Sequence, residues 1–226
     1  CIAGNTVELD THDVVIRHVR IRVGDESGET QDGTGLASCD HSIIDHCSVS
    51  WSIDEGVSSR GGRNITVQRC LVAEALNIAN HRKYQPGKGH SFAGSISGDI
   101  GSFHHNLLAH CAGRNWSLAG GLSRGGRFAG RLDIRNNVVY NWESRTTDGG
   151  VKALTFVGNY YIPGPATRVF HLVKPDVGSP ADPQQYFIAG NRMVDRPQYD
   201  ADNWANGGVV VAADAIRLIK LGAPFC

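Results

Sequence analysis

A six-residue unit recurs along the chain and constrains the possible fold more than any other feature of the sequence. The copies are FHHNLL at 103–108, IDHCSV at 44–49, VQRCLV at 67–72, IRNNVV at 134–139, FVGNYY at 156–161 and IAGNRM at 188–193. If the fourth residue of each unit is a marker, the series runs Val19, Cys47, Cys70, Asn106, Asn137, Asn159, Asn191, with intervals of 28, 23, 36, 31, 22 and 32 residues. Intervals in the low twenties are typical of coils of a parallel β-helix, which bury their apolar faces only by stacking, and the longer intervals then hold loops. The repeats predict an all-β parallel β-helix with at least six coils and the inward positions Ile44, Val67, Phe103, Ile134, Phe156 and Ile188.

Asparagine occupies the last four marker positions. Asparagine is common in turns, which is one explanation. The other is a ladder, in which each side-chain amide donates to the coil on one side and accepts from the coil on the other. Four asparagines in register favour the ladder.

The composition agrees with many short strands joined by turns. The 226 residues include 28 glycines and one methionine, and 41% are apolar, which suffices for one sizeable core. We therefore predict that residues 1–226 form a single β-helix domain. The net charge is zero, so any attraction to a polyanion must be local. Because the stretch 7–25 already has the pattern of coil strands, we expect an N-terminal truncation without the cap that solenoids need.

Cys47 and Cys70 share the marker position and would lie about 4.8 Å apart on adjacent coils. That spacing allows a disulfide. It suits a buried column of free thiols equally well, and we favour the column.

Three carboxylates follow predicted coils closely enough to share an ion. Asp32 lies near the end of the polar loop 25–35, and Asp54 and Glu55 follow the next coil directly. Stacking would bring Asp32 and Asp54 side by side, and such a group suits Ca²⁺, which takes six to eight oxygen ligands. Ordinary solvated turn acids would give the same pattern, so the residues alone leave both explanations open.

Two segments carry an excess of cationic side chains. The longest insertion, 77–99, contains Lys88 and is predicted to be a cationic surface loop, although a lone lysine among glycines is usually only solvated. Five arginines then occur within 22 positions against the single acid Asp133: Arg114, Arg124, Arg127, Arg131 and Arg135. Such a patch on a neutral protein indicates recognition of carboxylate or phosphate groups.

The histidines form no recognisable metal motif. His104 and His105 are adjacent, and adjacent strand residues face opposite sides of a sheet, so we predict one inward and one outward ring. The sequence has no HExxH, GxSxG, P-loop or nucleotide fingerprint, which leaves acyl and phosphoryl transfer without support.

Four segments carry a family resemblance: DVVIRHVRIRVGD at 13–25, SIIDHCSVSWSIDE at 42–55, KGHSFAGSISGDIGSFHHNLLAHCAGRN at 88–115 and RLDIRNNVVYNW at 131–142. Together they resemble the pectate lyases of polysaccharide lyase family 1, especially the bacterial type with a DHCSxSWSxDE signature. The resemblance implies a right-handed parallel β-helix of the pectin-lyase-like kind, Ca²⁺ dependence, and cleavage of polygalacturonate by β-elimination to 4,5-unsaturated oligogalacturonides. It also implies a secreted monomer, extracellular or periplasmic, that acts on an acidic polysaccharide and has neither a nucleic-acid nor a membrane partner.

The resemblance also implies roles for particular residues. Asp32 and Asp54 fall at calcium-ligand positions, Lys88 at a substrate-binding lysine and Arg114 at the catalytic arginine. Arg127, with Arg124 close behind, is assigned to a second arginine that binds substrate.

The match to the family pattern is incomplete at three places. Thr30 and Ser58 stand where many members have calcium-binding aspartates, and Glu55 could compensate. An insert at 115–126 separates Arg114 from the second arginine, Arg127.

Two other functions fit the same residues. A non-catalytic β-helix could bind acidic glycans through the basic patch, and a pectin lyase could cleave methylated pectin without calcium. Arg114 together with Asp32 and Asp54 favours the calcium-dependent lyase, because neither alternative needs that combination. We expect Arg114 to be the base because its neighbours supply positive charge without a carboxylate partner, and Lys88 is the next candidate.

Overall fold

The computed structural model describes residues 1–28, 30–85, 88–119, 130–177 and 183–225. Within them lie 22 short strands, in chain order β1 (Ile2–Ala3), β2 (Val7–Glu8), β3 (Val15–Arg17), β4 (Arg20–Arg22), β5 (Thr34–Gly35), β6 (Asp40–Asp45), β7 (Ser48–Ser50), β8 (Glu55–Ser58), β9 (Arg63–Gln68), β10 (Leu71–Ala73), β11 (Phe92–Ile96), β12 (Asp99–His104), β13 (Leu107–Ala109), β14 (Ser117–Ala119), β15 (Arg131–Arg135), β16 (Val138–Tyr140), β17 (Thr147–Gly150), β18 (Ala153–Val157), β19 (Tyr160–Ile162), β20 (Val173–Pro175), β21 (Gln185–Ala189) and β22 (Arg192–Met193). A 3₁₀ turn spans Asp25–Ser27, and two helices follow the last strand, α1 (Gln198–Ala201) and α2 (Ala213–Ile219).

The strands form three parallel sheets, because each strand pairs with the strand three places further along the chain. Sheet I has the order β3-β6-β9-β12-β15-β18-β21, sheet II runs from β1 through β4 to β22 in the same steps, and sheet III runs from β2 through β5 to β20. Each coil therefore contributes one strand to each sheet, which is the architecture of a right-handed parallel β-helix. The predicted fold class is confirmed.

The predicted inward residues form one continuous column beneath sheet I. Each is at most 4% exposed: Ile44, Val67, Phe103, Ile134, Phe156 and Ile188. Strand register places each of them directly beside the next along the sheet. Burial of one such side chain contributes roughly 1.5–3 kcal/mol, so the stacking of coils supplies the apolar contacts that no single coil could make alone.

A left-handed residue stands immediately before every marker at the turn from sheet I to sheet II. These residues have φ between 49° and 66°: His18, His46, Arg69, His105, Asn136, Gly158 and Gly190. The same backbone turn thus repeats on seven coils, and it directs the marker side chain inward.

The asparagine ladder is confirmed. Asn137 Oδ1 accepts from the backbone N–H and the Nδ2 of Asn106, both at 3.0 Å, while Asn137 Nδ2 donates to Asn159 Oδ1 at 2.9 Å and to the Phe103 carbonyl. Asn159 and Asn191 repeat the pattern. The ladder continues onto Asn203, which lies outside the repeated units and was not predicted.

The marker cysteines extend the same column as free thiols. Cys47 and Cys70 are buried and not joined in a disulfide, and the Cys47 backbone N–H donates to Cys70 Sγ at 3.4 Å. The prediction of a thiol column is confirmed.

The prediction for the histidine pair is wrong. His104 ends strand β12 on the outer face, and His105 occupies the left-handed turn, so neither ring points into the core. Their Nδ1 atoms lie 2.8 Å apart. The alternation rule does not apply to this pair because the strand ends at His104 and His105 is already in the turn.

The two helices lie beside the last coil, where α1 contacts β22 and α2 contacts β21. No helix in the described ranges is both long enough and apolar enough to cross a membrane.

We predict that Asn137→Ala destabilises the protein on the order of 3 kcal/mol, because it leaves several buried groups of the ladder without partners. Equilibrium unfolding in urea measures the change. Asn136→Gly is the matched control, since Asn136 is exposed and glycine accepts its φ of 54° without strain. Equal losses in the two variants would contradict an energetic role for the ladder.

Candidate active site

Three carboxylates converge at the N-terminal ends of two neighbouring strands of sheet III, β5 and β8. Asp32 precedes β5, Asp54 precedes β8, and Glu55 is the first residue of β8, so neighbouring coils bring them together. One oxygen from each lies within 4.8 Å of the others. The Glu55 backbone N–H donates to Asp32 Oδ1 at 2.9 Å, which fixes the first carboxylate against the second coil.

The two aspartates have opposite electrostatic surroundings. Burial, followed by the negative charge of Asp54, raises the pKa of Asp32 to about 6 against weaker opposition from Ser58, Arg60 and Lys83. Burial also acts to raise the pKa of Asp54, but the contacts with His90 and Lys83 outweigh it and hold that pKa well below its usual range. The negative charge of Asp32 is therefore less well compensated than that of Asp54.

This donor set suits a hard cation. Oxygens that bind one Ca²⁺ at 2.3–2.6 Å can lie up to about 5 Å apart, and the spread of Asp32, Asp54 and Glu55 falls within that limit. The raised pKa of Asp32 marks a place where added positive charge is favourable. Thr30 Oγ1 is already engaged, since it accepts from the Arg82 backbone N–H at 2.8 Å.

Arg114 reaches one of these carboxylates, Glu55, from two coils further along. Register places Glu55, Phe92 and Gly113 at one position of three successive coils, and Arg114 follows directly with φ of 54°. Its Nη1 contacts the Glu55 carboxylate and donates to Ser95 Oγ at 3.0 Å. Ser95 Oγ in turn donates to Glu55 Oε1 at 2.6 Å.

The expectation that Arg114 would have no carboxylate partner is therefore wrong. Glu55 is 59 positions away in sequence, and only the stacking of β8 on β11 brings it to the guanidinium. Glu55 therefore has two kinds of neighbour. It lies in the acidic group with Asp32 and Asp54, and it also pairs with Arg114.

Two guanidinium groups contact one aromatic ring at this site. The Arg114 Cζ lies 4.3 Å from the Phe92 ring centroid, and the Arg145 Cζ lies 5.3 Å from it. Arg145 is held by a two-point ion pair with Asp148, at 2.6 and 2.7 Å. Burial, followed by the positive charge of Arg145, lowers the pKa of Arg114.

The other cationic residues singled out in the sequence lie elsewhere. Lys88 is exposed, with its Nζ 4.8 Å from the Tyr84 ring centroid, whereas Lys83 Nζ lies 3.2 Å from Asp54 Oδ2. Arg124 and Arg127 lie outside the described residues.

The basic patch is not one surface over the arginines that the structure describes. Arg131 and Arg135 are on β15 of sheet I, where they pair with Asp99 and Asp133 at 2.8 Å, while Arg114 lies beside sheet III. The prediction fails because close sequence positions fall on different sheets.

Sequence reasoning missed the residues that surround Asp54. Segment 77–99 was predicted to be a surface loop, but Phe92–Ile96 is strand β11, and His81 and His90 are buried. Burial is the largest cause lowering the pKa of His81. The alternation of apolar residues in HSFAGSI was the available signal, and the many glycines around it concealed the strand.

Curated proteins similar to this chain are fungal. The chain is 34% identical over 165 residues to a protein named probable pectate lyase C from Neosartorya fischeri, and 33% identical over 164 residues to one of the same name from Aspergillus fumigatus. A third, from Aspergillus flavus, is 31% identical over 164 residues. In each case the match covers 70% of this chain and 34% of the relative, so the chain spans about a third of the length of the curated relatives it matches.

No family model matches the chain. The bacterial signature inferred from the sequence stays a prediction, since the relatives above are fungal. The similarity extends over 70% of the chain and agrees with the coil-by-coil architecture, and the chain is thus a relative of the pectate lyases.

Proposed function

We propose that the protein is a calcium-dependent pectate lyase, which cleaves polygalacturonate by β-elimination to 4,5-unsaturated oligogalacturonides. One observation carries the proposal: Asp32 and Asp54 lie beside Glu55, and Glu55 also pairs with Arg114. In this proposal residues 1–226 act as one β-helix domain, and the protein is a secreted monomer.

Elimination removes the proton on C5 of a uronate, forms the C4–C5 double bond and expels the oxygen on C4, which takes a proton from water to become a hydroxyl group. Negative charge then grows beside the C6 carboxylate, so the reaction needs fixed positive charge around an anionic group. Asp32, Asp54 and Glu55 would hold Ca²⁺, which when bound would supply Lewis-acid stabilisation of this charge.

In the proposed mechanism Arg114 accepts the C5 proton. Guanidinium groups ordinarily stay protonated. Burial and Arg145 shift the pKa of Arg114 downward, the direction that a base requires, and Nη1 is oriented by Glu55 and Ser95.

We assign the remaining cations to substrate binding. Arg124, Arg127 and Lys88 keep the roles implied by the family resemblance, and Lys88 is the second candidate for the base. Lys83 is added because its ammonium group contacts Asp54 and is 71% exposed, so it can pair with an incoming carboxylate.

The direct test is an assay with polygalacturonate, with and without a calcium chelator. We expect ultraviolet absorbance of the unsaturated uronide to rise with calcium and to stop on chelation. Binding without absorbance would favour the non-catalytic glycan binder. Activity on methylated pectin that persists in chelator would favour a pectin lyase.

Arg114→Lys is predicted to lower kcat by about 10²- to 10⁴-fold with little change in KM, because lysine keeps the charge but loses the reach and shape of the guanidinium. Steady-state kinetics on polygalacturonate measures this. Arg135→Lys is the control, since Arg135 lies on sheet I, and it should behave as wild type. A raised KM with normal kcat in Arg114→Lys would assign Arg114 to binding alone.

Asp32→Asn is predicted to abolish stabilisation by calcium while making the metal-free protein more stable at pH 8. At 100 times Kd, calcium should stabilise the wild type by about 2.7 kcal/mol in unfolding experiments. The raised pKa of Asp32, about 6, means that its contribution to stability is present below about pH 4 and lost as pH rises through 6. The advantage of the variant should therefore vanish at pH 4.

Asp133→Asn serves as the control for this experiment, because Asp133 pairs with Arg135 on sheet I. Its response to calcium should equal that of the wild type. Undiminished stabilisation by calcium in Asp32→Asn would remove Asp32 from the site.

A further inference from the structure

A group of buried donors behind Asp54 has no role in the elimination. The side chains of His81 and His90 are 3% and 4% exposed, and their Nε2 atoms lie 3.6 and 2.7 Å from Asp54 Oδ1. The centroids of the two rings are 4.6 Å apart. One donor atom from each of the three residues falls within 4.8 Å of the others.

Both Nε2 atoms lack a hydrogen bond among the residues that the structure describes. His90 Nε2 and Asp54 Oδ1 are 2.7 Å apart, and this contact helps to lower the pKa of Asp54, but it does not give His90 Nε2 a well-directed hydrogen bond. Buried polar atoms almost always have partners, and leaving two ring nitrogens without them is costly. Their convergence on one carboxylate oxygen indicates a shared ligand.

We propose that Asp54, His81 and His90 form a second cation site, which binds a borderline divalent ion such as Zn²⁺ through two imidazole nitrogens and one carboxylate oxygen. Three protein ligands with a fourth position open to water are a common zinc arrangement. Tetrahedral donors at 2.0–2.2 Å from zinc lie about 3.3 Å from one another, and the two measured separations, 2.7 and 3.6 Å, bracket that value.

This site differs from the carboxylate group in the ions that it favours. Imidazole nitrogen suits zinc, cobalt and nickel, whereas the oxygens of Asp32 and Glu55 suit calcium. Asp54 belongs to both groups, and two dications beside one carboxylate repel each other. If the calcium site of the proposed function is correct, each ion should weaken the binding of the other by the same factor.

Occupation of the site requires one local rearrangement. The Lys83 backbone N–H donates to His81 Nδ1 at 3.1 Å, which leaves the ring proton on Nε2. A ring that binds metal through Nε2 carries its proton on Nδ1 and cannot accept that hydrogen bond. Metal binding must therefore release the Lys83 amide, and the exposed Lys83 side chain can leave Asp54 with it.

The test is calorimetric titration of the chelator-treated protein with Zn²⁺, together with visible spectroscopy of the Co²⁺ form. We expect one Zn²⁺ per chain, and a Co²⁺ absorption band typical of low coordination number. His81→Gln and His90→Gln should each weaken Zn²⁺ binding by about tenfold or more. His41→Gln is the matched control, because His41 is 63% exposed and pairs with the neighbouring Asp40, and the Zn²⁺ affinity of this variant should be unchanged.

Asp32→Asn separates the two sites. It should abolish calcium binding and spare Zn²⁺, so failure of the calcium proposal and failure of the zinc proposal give different results. Nuclear magnetic resonance of the unsubstituted protein gives a readout that needs no variant, since the Lys83 amide should shift when Zn²⁺ is added. Absence of Zn²⁺ binding, wild-type affinity in both histidine variants, an equal loss in Asp32→Asn or an unmoved Lys83 amide would each overturn the proposal.

Discussion

The hydrogen bonds between coils are the interaction on which this structure depends. Strand pairing holds each coil against the next, but a flat pairing surface alone specifies register weakly. The buried asparagines add a second constraint, because each amide must meet both the coil before it and the coil after it. Slipping one coil by a residue would leave these amides unpaired in the core, so the ladder excludes the alternatives at a high energetic cost.

The candidate site is a product of that register. Asp32, Glu55 and Arg114 are spread over more than 80 sequence positions. Stacking of the coils nevertheless places both Asp32 and Arg114 close to Glu55. Glu55 lies between the acidic pair and the guanidinium, so its charge repels the two aspartates and attracts Arg114. The placing of one carboxylate between an acidic pair and an arginine links the electrostatics of the two, so a change on either side alters the other.

The repeated features of the fold could be predicted from sequence, and the individual contacts of the site could not. The inward column and the asparagine ladder were predictable because one residue type at one position has the same environment on every coil. Glu55 as the partner of Arg114, and the burial of His81 and His90, were not, because they depend on a loop of irregular length between β10 and β11. The prediction of one arginine patch failed for a related reason. Proximity in sequence says little about which of the three sheets a residue occupies.

The left-handed turn before each marker has a further consequence. Four residue types occupy it, as three histidines, one arginine, one asparagine and two glycines, while the backbone stays the same. The backbone conformation of the turn is thus constant while its outward side chain varies. The turn repeats at the spacing of the coils, about 4.8 Å. A row of chosen side chains could be displayed along this edge at regular intervals without disturbing the core, which makes it a natural scaffold for periodic surfaces.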